Sequence, residues 1–154
     1  MKKSFIILAF ALLFFSCDNS VYTEYHEFSL IQWEQDDNPI FDFELKESKQ
    51  YNVVFTMRYI EGFPYKNMIG SFLLSDLKGG NSVHKFNFQV VDDNNEYIGE
   101  VGGNMWDIEY TVFADTLLEA GKYSISIEQF VEEKTLPFVY DVGVRIDPID
   151  AKTE

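Results

Sequence analysis

A chain of 154 residues with 26 acidic against 12 basic side chains carries a formal charge of −14. That excludes nucleic acid as a partner, because such binding runs on basic side chains that displace counterions. The length suits one domain with a real core, and the single cysteine excludes an internal disulfide framework or a thiolate zinc site.

The N-terminal stretch MKKSFIILAFALLFFSC has the layout of a signal peptide: Lys2 and Lys3, an apolar run from Phe5 to Phe15, then Ser16 ahead of Cys17. The run is shorter than the roughly 20 residues that cross a bilayer as a helix. Phe14 and Phe15 crowd what would be an ordinary A-x-A cleavage site, and the lone cysteine that follows resembles a bacterial lipobox. Cys17 is therefore expected to become the new N-terminus and carry acyl chains. At about 0.8 kcal/mol per buried CH₂, two or three chains hold a protein on a membrane essentially permanently. The other reading is a simple secretory peptide ending at an incidental cysteine. Without Lys2 and Lys3 the charge becomes −16. A uniformly acidic body would be repelled by anionic headgroups, so the anchor is expected to act through a short tether rather than a face-down contact.

The expected domains follow: 1–16 signal peptide, 17–26 lipidated cysteine and tether, 27–150 one β-sandwich domain, and 151–154 a tail. From Tyr22, YTEYHEFSLI alternates loosely and neither side is cleanly apolar, as in an edge strand. Asp36, Asp37, Asn38 and Pro39 are turn residues. IFDFELK puts Phe41, Phe43 and Leu45 on one face, and YNVVFTMRYI repeats the pattern with Tyr51, Val53, Phe55, Met57 and Tyr59.

The segment EGFPYKN is a loop with two exposed-looking aromatics, Phe63 and Tyr65. MIGSFLLSDL is apolar on both faces and should be a central strand. Gly79, Gly80 and Asn81 turn it into HKFNFQVVD. The stretch from Asp92 to Trp106 has no usable period and reads as a long loop or strained bend. Strands follow at DIEYTVFADTLL, interrupted at Ala114 and Asp115, at KYSISIEQF, and at FVYDVGVRID. No helical period recurs. Seven or eight strands at about ten-residue spacing predict an all-β protein, an antiparallel β-sandwich of jelly-roll or immunoglobulin-like type.

Catalytic patterns are missing from the sequence. His26 and His84 stand apart with no HExxH spacing, and no serine sits in a G-x-S-x-G elbow. Asp92, Asn94 and Glu96 open like a calcium loop, but Tyr97 and Gly103 stand where that loop needs Gly and Glu, which favours a turn. No enzyme, no cofactor and no metal are expected.

Several blocks together resemble one family. These are MRYIEGFPYKNM, EYIGEVGGNMWDI, LLEAGKYSISIEQF and LPFVYDVGVRID, with CDNSVYTEYHEF at the start. Their order and spacing are similar to the gliding-motility lipoproteins of the GldH type from Bacteroidetes. In that pattern the residue after the final proline is commonly glycine, where this chain has Phe138. The resemblance implies a cell-envelope lipoprotein needed for gliding and for the secretion machinery coupled to it, with no known reaction.

The sequence thus predicts a lipid-anchored, non-enzymatic envelope protein that acts by protein contact. It would be bound to the bilayer through Cys17, with the outer membrane favoured over the inner, and would touch other envelope or motility proteins. The residues expected to meet a partner are Arg58, Phe63, Tyr65, Trp106, Asp141 and Arg145. A glycan-binding surface lipoprotein is the rival reading, and a flat exposed row of Trp33, Tyr65 or Trp106 would favour it.

Overall fold

Where apolar and polar residues alternate regularly, the chain is extended. The computed structural model describes residues 20–149. Eight long strands run through it: β1 (Tyr22–Glu27), β3 (Ile40–Leu45), β4 (Lys49–Ile60), β5 (Asn67–Asp76), β6 (Asn81–Gln89), β8 (Met105–Leu118), β9 (Gly121–Gln129) and β11 (Val139–Pro148). Three strands of three residues join them: β2 (Gln32–Glu34), β7 (Glu100–Gly102) and β10 (Thr135–Pro137). Cys17 and the signal-peptide reading lie outside the described residues, as does the 151–154 tail.

All pairings among the described residues are antiparallel. One sheet has the order β1-β11-β4-β8-β7 and the other β3-β9-β5-β6, with β10 and β2 as a separate ribbon. The topology is a single folded-back hairpin. Its tip is the β5–β6 turn, and outward from it β4 pairs β8, β3 pairs β9, and β1 pairs β11. Rolled over itself, such a ribbon places alternate pairs in opposite sheets, which is the jelly-roll member of the two sandwich types expected.

The core follows from the alternation. In β3 the burial runs strictly in and out, with Phe41, Phe43 and Leu45 inside. From β4 come Tyr51, Val53, Phe55, Met57 and Tyr59, and from β11 Val142, Val144 and Ile146. Rings fill the space between the sheets: Phe55 lies 5.3 Å from Phe86 and 5.6 Å from Phe72, centroid to centroid. Phe43 stacks on Tyr123 at 5.4 Å. Such pairs contribute roughly 0.5–1.5 kcal/mol beyond the area they bury.

Departures from regular alternation become turns and bulges. β1 is an edge strand, as expected, but it begins at Tyr22, inside the stretch 17–26 expected to be tether, and stops at Glu27. The chain then turns through Leu30 and Ile31, which have φ of 59° and 56°. β5 is an interior strand, yet its outward side chains Ile69 and Leu73 remain more than a third exposed. The glycine-rich stretch before Trp106 contains β7, which pairs Glu100–Gly102 with Asp107–Met105. The interruption at Ala114 and Asp115 is a real break in register. Asp115 has φ of 52°, and its N–H donates to Asn52 Oδ1 at 3.0 Å.

Charge is distributed unevenly between the two ends. The β3–β4, β5–β6 and β8–β9 connections meet at one end, where Lys46 and Lys78 offset Glu47 and Glu119. Connections at the other end carry eight carboxylates against Lys66 and Lys134.

Candidate functional site

Register on the five-stranded sheet decides which side chains share its outer face, the one turned away from the core. Glu27 stands opposite Asp141, Asp141 opposite Arg58, Arg58 opposite Asp107, and Asp107 opposite Glu100. This row crosses all five strands and holds four carboxylates around one guanidinium. The next row is Tyr25, Gly143, Thr56 and Glu109. Beyond it, Thr23 faces Arg145 and Arg145 faces Val54.

Arg58 is held as a fork. Its Nε donates to Asp107 Oδ1 at 2.6 Å and its Nη2 to Oδ2 at 3.3 Å, while Nη1 is 3.5 Å from Asp141 Oδ2. Arg145 donates through Nη1 and Nη2 to both oxygens of Glu109, and through Nε to Asp147 at 3.0 Å. Bidentate geometry fixes each guanidinium plane and makes the contacts directional. Asp141 is 4% exposed. Burial pushes its carboxyl up to about 6; Arg58 pulls it back, and Asp107 and Glu27 add repulsion.

Between the two arginines Tyr25 is 53% exposed and lies over Gly143. A Cβ on Gly143 would come within 2.6 Å of both Tyr25 Cδ1 and Thr56 Oγ1. The missing side chain leaves room for the ring against the strand, a device that protects glycine in sheets. Thr56 Oγ1 is buried beneath this arrangement without a hydrogen bond.

The expected partner-contacting residues divide into two groups. Arg58, Asp141 and Arg145 share this outer face. Phe63, Tyr65 and Trp106 are brought together at the acidic end, where Tyr59 packs against Phe63 at 5.3 Å and Trp106 at 6.1 Å, and Phe63 against Tyr65 at 6.0 Å. Tyr97 closes the cluster 4.7 Å from Trp106, and its hydroxyl accepts the Gly62 N–H at 2.8 Å. The exposure read for Phe63 is corrected: the residue is 4% exposed because its ring closes the end of the core. Trp33 is fully buried, its Nε1 donating to Asp37 O at 2.7 Å, so it cannot join a flat exposed row.

Sequence reasoning missed Tyr25, Asp107 and Glu109. The period-2 pattern of DIEY does place both acids outward, but pairing with Arg58 and Arg145 depends on cross-strand register. Asp92, the opening residue of the calcium-like spacing, uses Oδ1 to accept the N–H groups of Asn94 at 2.8 Å and Glu96 at 2.9 Å, as a turn residue does. Those hydrogen bonds hold its carboxyl below its ordinary range.

Residues 20–146 match the family described as GldH lipoprotein. A curated relative is the gliding motility lipoprotein GldH of Flavobacterium johnsoniae, 27% identical across 97% of this chain and 99% of that protein. Among solved structures, the CBM35 of Cellvibrio japonicus Abf62 aligns with 14% identity and a TM-score of 0.35, over 74% of this chain and 70% of that one. The Tobacco streak virus coat protein aligns with 12% identity and a TM-score of 0.29, over 90% and 93%. At those scores neither likeness carries an argument about this chain.

Proposed function

The chain belongs to the GldH lipoprotein family, and on that premise we propose that it is a non-enzymatic component of the gliding-motility apparatus and of the secretion machinery coupled to it. Cys17 carries the lipid, the outer membrane receives it, and the body works by holding another envelope protein. The family match carries this reading. The outer face of the five-stranded sheet supports the contact mechanism, because two rigid guanidinium forks and a half-exposed Tyr25 are features that recur at protein interfaces. An excess of carboxylates along the Glu27–Glu100 row suits a basic partner surface, which steers encounter as well as register.

The experiment is complementation of a deletion strain in a host that glides. Exchanging Glu27 and Glu100 for lysine leaves the core and the Arg58 fork in place, since both side chains are exposed at the ends of the row. Loss of spreading and of secretion at wild-type protein level is expected. Full complementation by that variant would remove this face from the mechanism, and a deletion with intact motility and secretion would remove the function itself.

A further inference from the structure

Three connections meet at the end of the sandwich where the chain enters the fold: residues 46–48, the turn at 77–80, and residues 119–120. The Leu77 N–H donates to Lys122 O at 3.2 Å, which ties the turn to the β8–β9 connection. Leu77 and Leu117 are each 68% exposed. Lys78 and Lys122 line the same cleft with Asp76 and Glu119, and at the neighbouring β3–β4 connection Lys46 pairs with Glu44 at 3.3 Å and Lys49 with Glu47 at 3.1 Å. Exposed leucines beside lysines, at an end whose charge is balanced, have the composition of surfaces that enter a headgroup layer. The apolar tips reach the acyl boundary, and the ammonium groups stay with the phosphates.

Position agrees with composition. Tyr22 pairs with Ile146, and Pro148 with Tyr51. Continuing that register sets Ser20 beside Pro148 and Tyr51, and Ser20 Oγ donates to Asp147 at 2.8 Å. From Tyr51 to the strand end at Lys49 is about 7 Å at 3.4 Å per residue. Three residue steps separate Cys17 from Ser20, which an extended chain spans in about 10 Å at most. A bilayer that holds Cys17 is therefore level with the three connections and little beyond them.

We propose that this end of the sandwich lies against the headgroup layer of the anchoring membrane, with Leu77 and Leu117 as apolar contacts and Lys78 and Lys122 as phosphate contacts. The proposal rests on the reading of Cys17 as the lipidated residue. It replaces the picture of a body held away by its own charge. The negative charge is concentrated at the far end, and the end near the membrane is balanced. The acidic end and the aromatic cluster around Tyr59 then point away from the lipid.

The full-length protein, expressed in a lipidating host, is reconstituted in vesicles of phosphatidylethanolamine with a minority of phosphatidylglycerol. Its intact mass shows whether Cys17 is acylated. A fluorophore on Leu77→Cys or Leu117→Cys is compared with one on Glu132→Cys at the far end, using nitroxide-headgroup lipids as quencher. Quenching several-fold stronger at positions 77 and 117 is expected, falling toward the Glu132→Cys level when Lys78→Glu and Lys122→Glu are added. Acylated, vesicle-bound protein with equal quenching at all three positions overturns this proposal and leaves the anchor reading intact. An intact mass without acyl chains overturns both.

Discussion

Asp141 loses water on folding and gains one distant ion partner, Arg58 Nη1 at 3.5 Å. A carboxyl raised to about 6 in the fold, against about 3.9 in the unfolded chain, favours the protonated folded state. Its contribution to stability is therefore full below about pH 4, is lost as pH rises toward 6, and is absent above that. Asp141→Asn is expected to flatten this slope. It should stabilise the protein at pH 7 by at most about 3 kcal/mol, a two-unit shift at about 1.36 kcal/mol per unit. Urea midpoints measured across pH 4 to 8 check it, and a variant that parallels the wild type throughout would refute the assignment. Gly143 makes a steric demand on the same face. Ala at 143 would press its Cβ on Tyr25 and Thr56 and to 2.8 Å from the backbone oxygen of Glu24, so β1 must move. A loss of roughly 1–3 kcal/mol is expected in the same titration, in the range of overpacked sites.

Strand identity was legible because alternation reports the side of a sheet: IFDFELK and YNVVFTMRYI place the same residues inside that the structure buries. The turn at Gly79 and Gly80 and the break at Asp115 were legible for the same local reason. Cross-strand partners were not, because Arg58 meets Asp107 across 49 positions and no local pattern encodes that distance. Burial of Phe63 and Trp33 was hidden for a related reason, since Phe63 lies in a connection and Trp33 in the short ribbon strand β2, and the packing of both is decided by what the ends of the sheets leave open. Phe138 is legible only with both views. The resemblance to the family implies glycine there, and the φ of Phe138 is 67°, a left-handed conformation that costs a bulky residue about 1–2 kcal/mol. Its ring lies 3.5 Å from the position a Cβ on Gly62 would take, and it is still 38% exposed. Backbone relief should therefore offset most of the lost ring contact in Phe138→Gly. A stability change under about 1 kcal/mol is expected, against the roughly 3–5 kcal/mol for Phe41→Ala in the core. Parallel denaturation of the two variants checks the contrast.

At the scale of the molecule, the proposed anchor at Cys17 acts on the fold through the strand that follows it, β1. From Ser20 the described chain enters β1, an edge strand joined to the sheet by six register pairs with β11. If a partner holds the body by its outer face or its acidic end, force from that partner reaches the membrane along β1, pulling it lengthwise against β11. Lengthwise load divides among all the hydrogen bonds of the ladder together, whereas load across the strands would open them one at a time, so this attachment is suited to a protein that transmits force. The register pairing that joins β1 to β11 begins at Tyr22, past Cys17 in the sequence. Cys17→Ala is therefore expected to leave the thermal midpoint of the purified body unchanged while abolishing complementation in the cell. Measuring both in one strain separates folding from anchoring. Full complementation by Cys17→Ala would show that the lipid plays no part in function, and a lowered midpoint would show that the residues ahead of β1 contribute to the fold.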